Sequence, residues 1–239
     1  CHYVELGPGR GTLASDALRT VKRFEFDPQV HFVEMSEAMK QQQLLTMPNA
    51  ILHETLESLP DEGALFIVAN EFFDALPVRQ LAATHSGWRG RVVGRDKGHR
   101  FQAMPGMQAM DDQVPIEFRA APPPSIYETC PQASAIMYEI AGRLKRQGGA
   151  FLIIDYGYTL PGLGSTLQAV KNHAVADPFE NPGEHDLTAH VNFLELANLA
   201  RMRNLHVHGP VEQGAWLLSL GIDVRAHSLS VASPERTEE

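Results

Sequence analysis

The stretch V-E-L-G-P-G-R-G-T-L, residues 4–13, limits the fold more than any other part of the chain. A short apolar run leads into three glycines, Gly7, Gly9 and Gly11, and helix-compatible residues follow at once. A strand, a glycine turn and a helix in direct succession form the opening unit of a parallel sheet covered by helices. Glycine tolerates positive φ and lets the main chain come close to a ligand. The helix that follows aims its free N–H groups at the same place.

The rest of the chain keeps that alternation. Strands are predicted at residues 3–6, 31–34, 51–53 and 64–69, with helices at 12–22 and 37–45 between them. Residues 64–69, A-L-F-I-V-A, are apolar throughout, as a central strand requires. Residues 80–110 change character, with Gly87, Gly90, Gly94 and Gly98 between short mixed runs, and read as an inserted β-meander ended by Pro122–Pro124. The insertion thus spans about 80–125. A helix at 131–146 carries Ala133, Ile136, Met137, Ile140 and Leu144 on one face and is capped by Gly148 and Gly149. Residues 150–158, A-F-L-I-I-D-Y-G-Y, read as the clearest buried strand. A helix at 191–203, a strand at 205–209 and a short helix at 213–220 follow, and the tail beyond Gly221 is polar and ill-defined. The fold class is α/β: a mostly parallel, doubly wound sheet with an inserted meander, in one domain.

Bulk properties exclude several classes. A chain of 239 residues can bury a sizeable core as one large domain. A formal charge of −9 argues against general nucleic-acid binding, which needs a basic surface. Two cysteines, Cys1 and Cys130, make no disulfide framework, so a reducing compartment is the default. No apolar run reaches the length of a membrane span, and the first residues do not resemble a secretion signal. The chain opens on Cys1 in what reads as a strand, so residues preceding it are expected in the natural protein.

The glycine spacing bears on the ligand. A dinucleotide site favours G-x-G-x-x-G, whereas this chain has G-x-G-x-G with Thr12 where the last dinucleotide glycine would fall. That spacing, with the acid Glu5 before it, resembles the first motif of the Rossmann-like methyltransferases. Glu34 ends the second predicted strand, where a carboxylate can accept both hydroxyls of a ribose. That feature is common to S-adenosylmethionine (SAM) and NAD sites. Met35 beside it joins the expected cofactor set, and Glu54, after the third strand, is placed near the adenine.

A-N-E-F-F-D-A-L-P-V, residues 69–78, follows the fourth strand, at the sheet's ligand-bearing edge. Asn70, Glu71 and Asp74 place an amide and two carboxylates beside Phe72 and Phe73. A carboxylate pair suits the planar donor fork of a guanidinium. Because arginine stays protonated in proteins, its methylation depends on alignment and on offsetting its charge near one nitrogen. The alternative is that the two acids cap a following helix.

Taken in order, E-L-G-P-G-R-G-T-L, V-E-M-S-E, N-E-F-F-D-A-L-P-V-R-Q, L-I-I-D-Y-G-Y, L-Q-A-V-K-N-H and D-L-T-A-H-V-N-F resemble the MidA-like family of SAM-dependent protein arginine methyltransferases. The resemblance covers residues 4 to about 221. It implies a Rossmann-like class I methyltransferase fold, SAM as cofactor and S-adenosylhomocysteine as product. It further implies symmetric dimethylation of an arginine on a core subunit of respiratory complex I, in bacterial cytoplasm or the mitochondrial matrix. The implied partner is that protein substrate, with no nucleic acid. Glu71, Asp74 and Asn70 take the catalytic roles. Glu5, Gly7, Gly9, Gly11, Glu34, Met35 and Glu54 take the cofactor roles. Phe73, Tyr156, His173, Asp186 and His190 line the substrate side. Two departures stand out: the family carries a segment before the glycine motif, and the end V-A-S-P-E-R-T-E-E does not look like the strand that usually completes its sheet. His185 and His190 do not match a known ligand spacing, so no metal is expected. An NAD(P)-dependent oxidoreductase and a non-catalytic SAM-binding assembly factor are the alternatives.

Overall fold

The computed structural model describes residues 1–171 and 174–232. These residues divide into two compact units, Cys1–His206 and the part from Val207 onward, and each is described by itself.

The first unit is built on five parallel strands in the order β3-β2-β1-β4-β9. These are β1 (His2–Leu6), β2 (Gln29–Val33), β3 (Ile51–His53), β4 (Leu65–Asn70) and β9 (Gly149–Ile154). Helix α1 (Thr12–Val21) links β1 to β2, and α2 (Glu37–Thr46) links β2 to β3. Strand order reverses between β1 and β4, and a doubly wound sheet opens its ligand crevice at that point. The glycine loop and residues 70–74 both emerge there.

Alternation along the strands separates two faces. On one, Tyr3, Val30 and Phe32 are buried with Ala14 of α1 and Ala50, and Leu18, Met47, Leu52 and Val68 pack around them. The opposite face of β1, β2 and β3 carries a row of imidazoles. His2 Nδ1 meets His31 Nε2 at 3.0 Å, and His31 Nδ1 meets His53 Nε2 at 2.9 Å. His53 Nδ1 meets Ser58 Oγ at 2.8 Å, and Ser58 donates to the Thr55 carbonyl at 3.1 Å. At the other end His2 Nε2 lies 3.0 Å from the Glu62 carbonyl.

The insertion is a second sheet, antiparallel, in the order β7-β6-β5-β8. Its strands are β5 (Arg79–Thr84), β6 (Gly87–Arg95), β7 (Phe101–Ala109) and β8 (Ile126–Thr129). It encloses its own core of Leu81, Ala83, Trp88 and Val114. The sheet also takes in β8, which lies beyond Pro122–Pro124, where the sequence pattern ends the insertion.

Helix α3 (Pro131–Gln147) follows, starting with proline, whose missing N–H costs nothing there, and ending at Gly148 with φ +75. Its buried Arg143 holds the loop after β3, donating to the carbonyls of Leu59 at 3.4 Å and Pro60 at 3.3 Å. After β9 come β10 (Gly157–Tyr158), β11 (Gln168–Lys171), β12 (Ala174–Ala176), β13 (Asp186–Thr188), β14 (Val191–Asn192) and α4 (Phe193–Met202). Strands β11, β12 and β13 form a small antiparallel sheet between residues 158 and 191, where the sequence predicts no element.

Two expectations about the first unit need correction. Residues 150–158 do not form a strand buried on both faces. β9 ends at Ile154, is the outermost strand of the described sheet and leaves Leu152 40% exposed. An apolar run cannot reveal whether a neighbour covers it. Nor do residues 205–209 form a strand; alternation of Leu205 and Val207 with His206 and His208 mimics one, but they pair with no described strand.

The second unit contains α5 (Gln213–Ser219) and α6 (Ile222–Ala232). The latter corrects the reading of the tail as undefined. Ile222, Val224, Leu229 and Val231 do not fall into a helical stripe, so periodicity gave no sign of it. Among the described residues no helix is long and apolar enough to cross a membrane.

Candidate active site

The glycine loop closes the C-terminal end of β1. Gly7 donates to the Val33 carbonyl at 3.0 Å and Gly11 to the Pro8 carbonyl at 2.8 Å. Gly7 has φ +58, and a Cβ there would lie 3.0 Å from the Phe72 ring. Its bare Cα therefore lets the segment after β4 pack against the loop. Gly9 has φ +53 with no atom within 4 Å of where a Cβ would point. It leaves an open cradle of main chain at the crevice, with α1 starting three residues later.

Glu34 follows β2 directly, and its carboxylate accepts from the Ser36 N–H at 2.7 Å. Gln43 of α2 joins the two halves of this region. Its Nε2 donates to the Gly9 carbonyl at 3.0 Å and reaches Glu34 Oε2 at 3.4 Å. Gln43 is fully buried, and its Oε1 has no hydrogen-bond partner among the described residues. Sequence reasoning missed it, because a glutamine inside Q-Q-Q shows no sign of being the buried one. The open cradle and the adjacent carboxylate fit the methionine and ribose ends of a sulfonium nucleoside. Met35 is 81% exposed beside Glu34. Glu54 is also exposed and pairs with Lys40 at 3.0 Å.

Glu5, before the glycine loop, is held by the protein's own groups. Its buried carboxylate accepts from the Tyr3 hydroxyl at 3.1 Å and from the backbone N–H of Ala14, beneath the first turn of α1. Burial pushes its pKa up to about 7, against the two hydrogen bonds.

On the other side of the switch point, β4 delivers Asn70 and Glu71 exposed at its end. Glu71 has φ +46, an uncommon backbone state for a residue with a side chain. Its carboxylate makes no hydrogen bond to a described residue. Phe73 is buried and stacks edge-on with Phe72, centroids 5.3 Å apart, and lies 6.2 Å from Phe151. It supports the turn from within.

Asp74 lies beside a second acid, Asp155. Residues 71–78 form turns instead of a helix, so a three-residue spacing does not put two side chains on one face. Asp155, just past β9, accepts through Oδ2 from the N–H of Phe73 at 3.0 Å and of Asp74 at 3.3 Å. Its Oδ1 accepts from the N–H of Tyr156 at 2.9 Å. Burial, then the Asp74 charge, raises its pKa to about 6. Asp74 itself is only 4% exposed and accepts a hydrogen bond from the Tyr156 hydroxyl through Oδ2, while Oδ1 has no partner among the described residues. Tyr156 is 36% exposed. His190 stands edge-on to its ring, centroids 5.8 Å apart. The segment holding His190 is tied in by Ala189 N–H to the Asp74 carbonyl at 2.9 Å and Val191 N–H to the Tyr156 carbonyl at 3.0 Å. Asp186 is exposed at the start of β13, two residues before Thr188. His173 lies outside the described residues.

Residues 1–211 match the model of a family described as "Putative S-adenosyl-L-methionine-dependent methyltransferase". The chain belongs to this methyltransferase family. Its members are SAM-dependent, which agrees with a glycine cradle facing a carboxylate at the switch point. Among curated relatives, the chain is similar to the mitochondrial protein arginine methyltransferase NDUFAF7 homolog of Drosophila melanogaster, 32% identical over 98% of this chain and 61% of that protein. It is also similar to the mitochondrial protein arginine methyltransferase NDUFAF7 of Homo sapiens, 31% identical over 97% of this chain and 58% of that one. The chain thus spans about three fifths of the length of these relatives. A crystal structure from Burkholderia thailandensis, of a superfamily member bound to S-adenosyl-homocysteine, shares the fold with a TM-score of 0.83. It is 23% identical, covering 99% of this chain and 64% of that one.

Proposed function

We propose that this chain is the catalytic part of a SAM-dependent protein arginine methyltransferase. The observation that carries the reading is the pairing, across one switch point, of an open glycine cradle with a buried carboxylate–phenol pair. Gly9 and its neighbours would hold the methionine part and Glu34 the ribose, with Gln43 keeping the two in register. When bound, SAM supplies a methyl on a sulfonium. The target nitrogen would take that methyl, leaving S-adenosylhomocysteine, and release its proton to solvent. The residues' task is alignment of the target nitrogen in a water-poor crevice and partial compensation of the guanidinium charge. In the finer reading, the product is symmetric dimethylarginine on a core subunit of complex I. The site of action is the mitochondrial matrix, or the cytoplasm if the host is a bacterium. The curated relatives' names support the arginine and mitochondrial parts. We read the chain as one methyltransferase domain with its insertion at about 80–125.

Titration calorimetry with SAM, S-adenosylhomocysteine and NADH tests the cofactor. Binding of NADH in place of the other two would support an oxidoreductase and overturn this reading. Mass spectrometry of complex I subunit arginines, with and without the protein, tests the reaction. SAM binding with no methylated arginine would instead mark a non-catalytic assembly factor. Asp74→Ala is expected to keep SAM affinity and to lose methyl transfer.

A further inference from the structure

We infer that Tyr156 is the residue that touches the substrate guanidinium, and that Asp74 acts through it as a positioning residue instead of gripping the arginine directly. This rests on the arginine reading above. The Tyr156 hydroxyl donates its one hydrogen to Asp74 Oδ2. A phenol oxygen whose hydrogen is committed inward presents only lone pairs outward. Guanidinium is the complementary partner, with five N–H donors and no acceptor. Asp74 is buried, whereas Tyr156, its hydrogen-bond partner, is 36% exposed, so the phenol is the member of the pair open to a ligand.

The brace behind the phenol is over-determined. Asp155 accepts from the main-chain N–H groups of Phe73, Asp74 and Tyr156, so one carboxylate fixes both residues of the pair. The Thr188 hydroxyl lies beside the same phenol oxygen and takes at most one of its lone pairs. His190 stands edge-on to the ring on one side, centroids 5.8 Å apart, and fixes its plane. Burial and the hydrogen bond to Asp74 hold the phenol's pKa up at about 12, so it remains a protonated, polarised acceptor at neutral pH.

The two modes differ in sign for one substitution. The test uses the protein saturated with S-adenosylhomocysteine and titrated with N-acetyl-arginine amide, and with the lysine analogue as control. Binding is read by calorimetry and by the NMR signal of labelled tyrosine rings. The wild type is expected to bind the arginine probe more tightly than the lysine probe, with a shift of the Tyr156 ring signal. Tyr156→Phe should weaken arginine binding about tenfold, the scale of one charge-assisted hydrogen bond. S-adenosylhomocysteine affinity should not change. Asp74→Ala should weaken it similarly, and the double variant should be no worse than Tyr156→Phe alone. Asp74→Asn keeps an acceptor for the phenol and should retain part of the binding. If Tyr156→Phe binds the arginine probe as tightly as wild type, or more tightly, Asp74 grips the arginine directly and the inference is wrong. It is equally wrong if the wild type binds S-adenosylhomocysteine but not the arginine probe. Loss of S-adenosylhomocysteine binding by the wild type is a different failure, that of the methyltransferase reading itself.

Discussion

Replacing Gln43 with methionine separates a residue that stabilises the fold from one that shapes the crevice. The side chain is fully buried, and both groups facing Nε2, the Gly9 carbonyl and the Glu34 carboxylate, are acceptors. The amide's orientation is therefore dictated by chemistry: turned round, it would face oxygen with oxygen. Methionine is close in size and removes the donor. The bond at 3.0 Å contributes about 1 kcal/mol, and the one at 3.4 Å less because of its length. The same change removes Oε1, a buried acceptor with no partner among the described residues, whose burial costs about 1–3 kcal/mol. The two effects oppose each other, so the variant should unfold within about 1 kcal/mol of the wild type, a shift of about 2–4 °C. Cofactor affinity has no such offset. With the tie cut, Gly9 and Glu34 must be aligned by the ligand, and SAM should bind about tenfold more weakly, equivalent to about 1.4 kcal/mol. Calorimetry with SAM and thermal unfolding without it measure the two quantities. An unchanged SAM affinity would refute the positioning role, and a large fall in melting temperature would show that the residue belongs to the core.

Other consequences can be measured in the same way. Gly7→Ala should lower the melting temperature more than Gly9→Ala, because only its Cβ meets an atom, Phe72 at 3.0 Å. Gly9→Ala should instead lower SAM affinity, since the new methyl points into the cradle. Arg143→Met should cost about 2 kcal/mol, read by denaturant unfolding, through the Leu59 carbonyl left without this donor, while Pro60 keeps Gln147 at 2.9 Å. Glu5, with its pKa raised to about 7 by burial, favours the fold at low pH, an advantage that fades as pH rises from the ordinary carboxylate value through 7. Glu5→Gln should therefore lose less stability than the wild type between pH 5 and pH 8. His31 has the opposite sign: burial and the neighbouring imidazoles hold it down to about 4, so stability should fall as pH drops from about 6.5 toward 4.

What could be read from the sequence was local. The turn at Gly7, Gly9 and Gly11 and the apolar run into β4 carry their signals within a few residues, and the order of strands follows from them. The pairing of Asp155 with Phe73 spans 82 residues, and that of Gln43 with Gly9 spans 34. Neither leaves a trace in spacing. The acid beside Asp74 was hidden for the same reason. Glu71 and Asp74 are neighbours along the chain, but β9 inserts Asp155 beside β4 and supplies the second carboxylate from a distance. Tyr156 could be placed at a strand end, yet the direction of its hydroxyl depends on a turn that only the folded chain displays.

The imidazole row across β1, β2 and β3 has an arithmetic of its own. Its five polar contacts need five hydrogens, and three neutral rings with one serine hydroxyl bring four. Ser58 spends its hydrogen on Thr55, so His53 must point its N–H at Ser58, and His31 and His2 must then point the same way in turn. No ring can switch tautomer alone; the row reverses as a whole or not at all. The shortfall is pushed to His2, the ring nearest water, whose Nε2 turns a lone pair toward the Glu62 carbonyl. One serine hydroxyl thereby sets the direction of a chain of donors that crosses three strands.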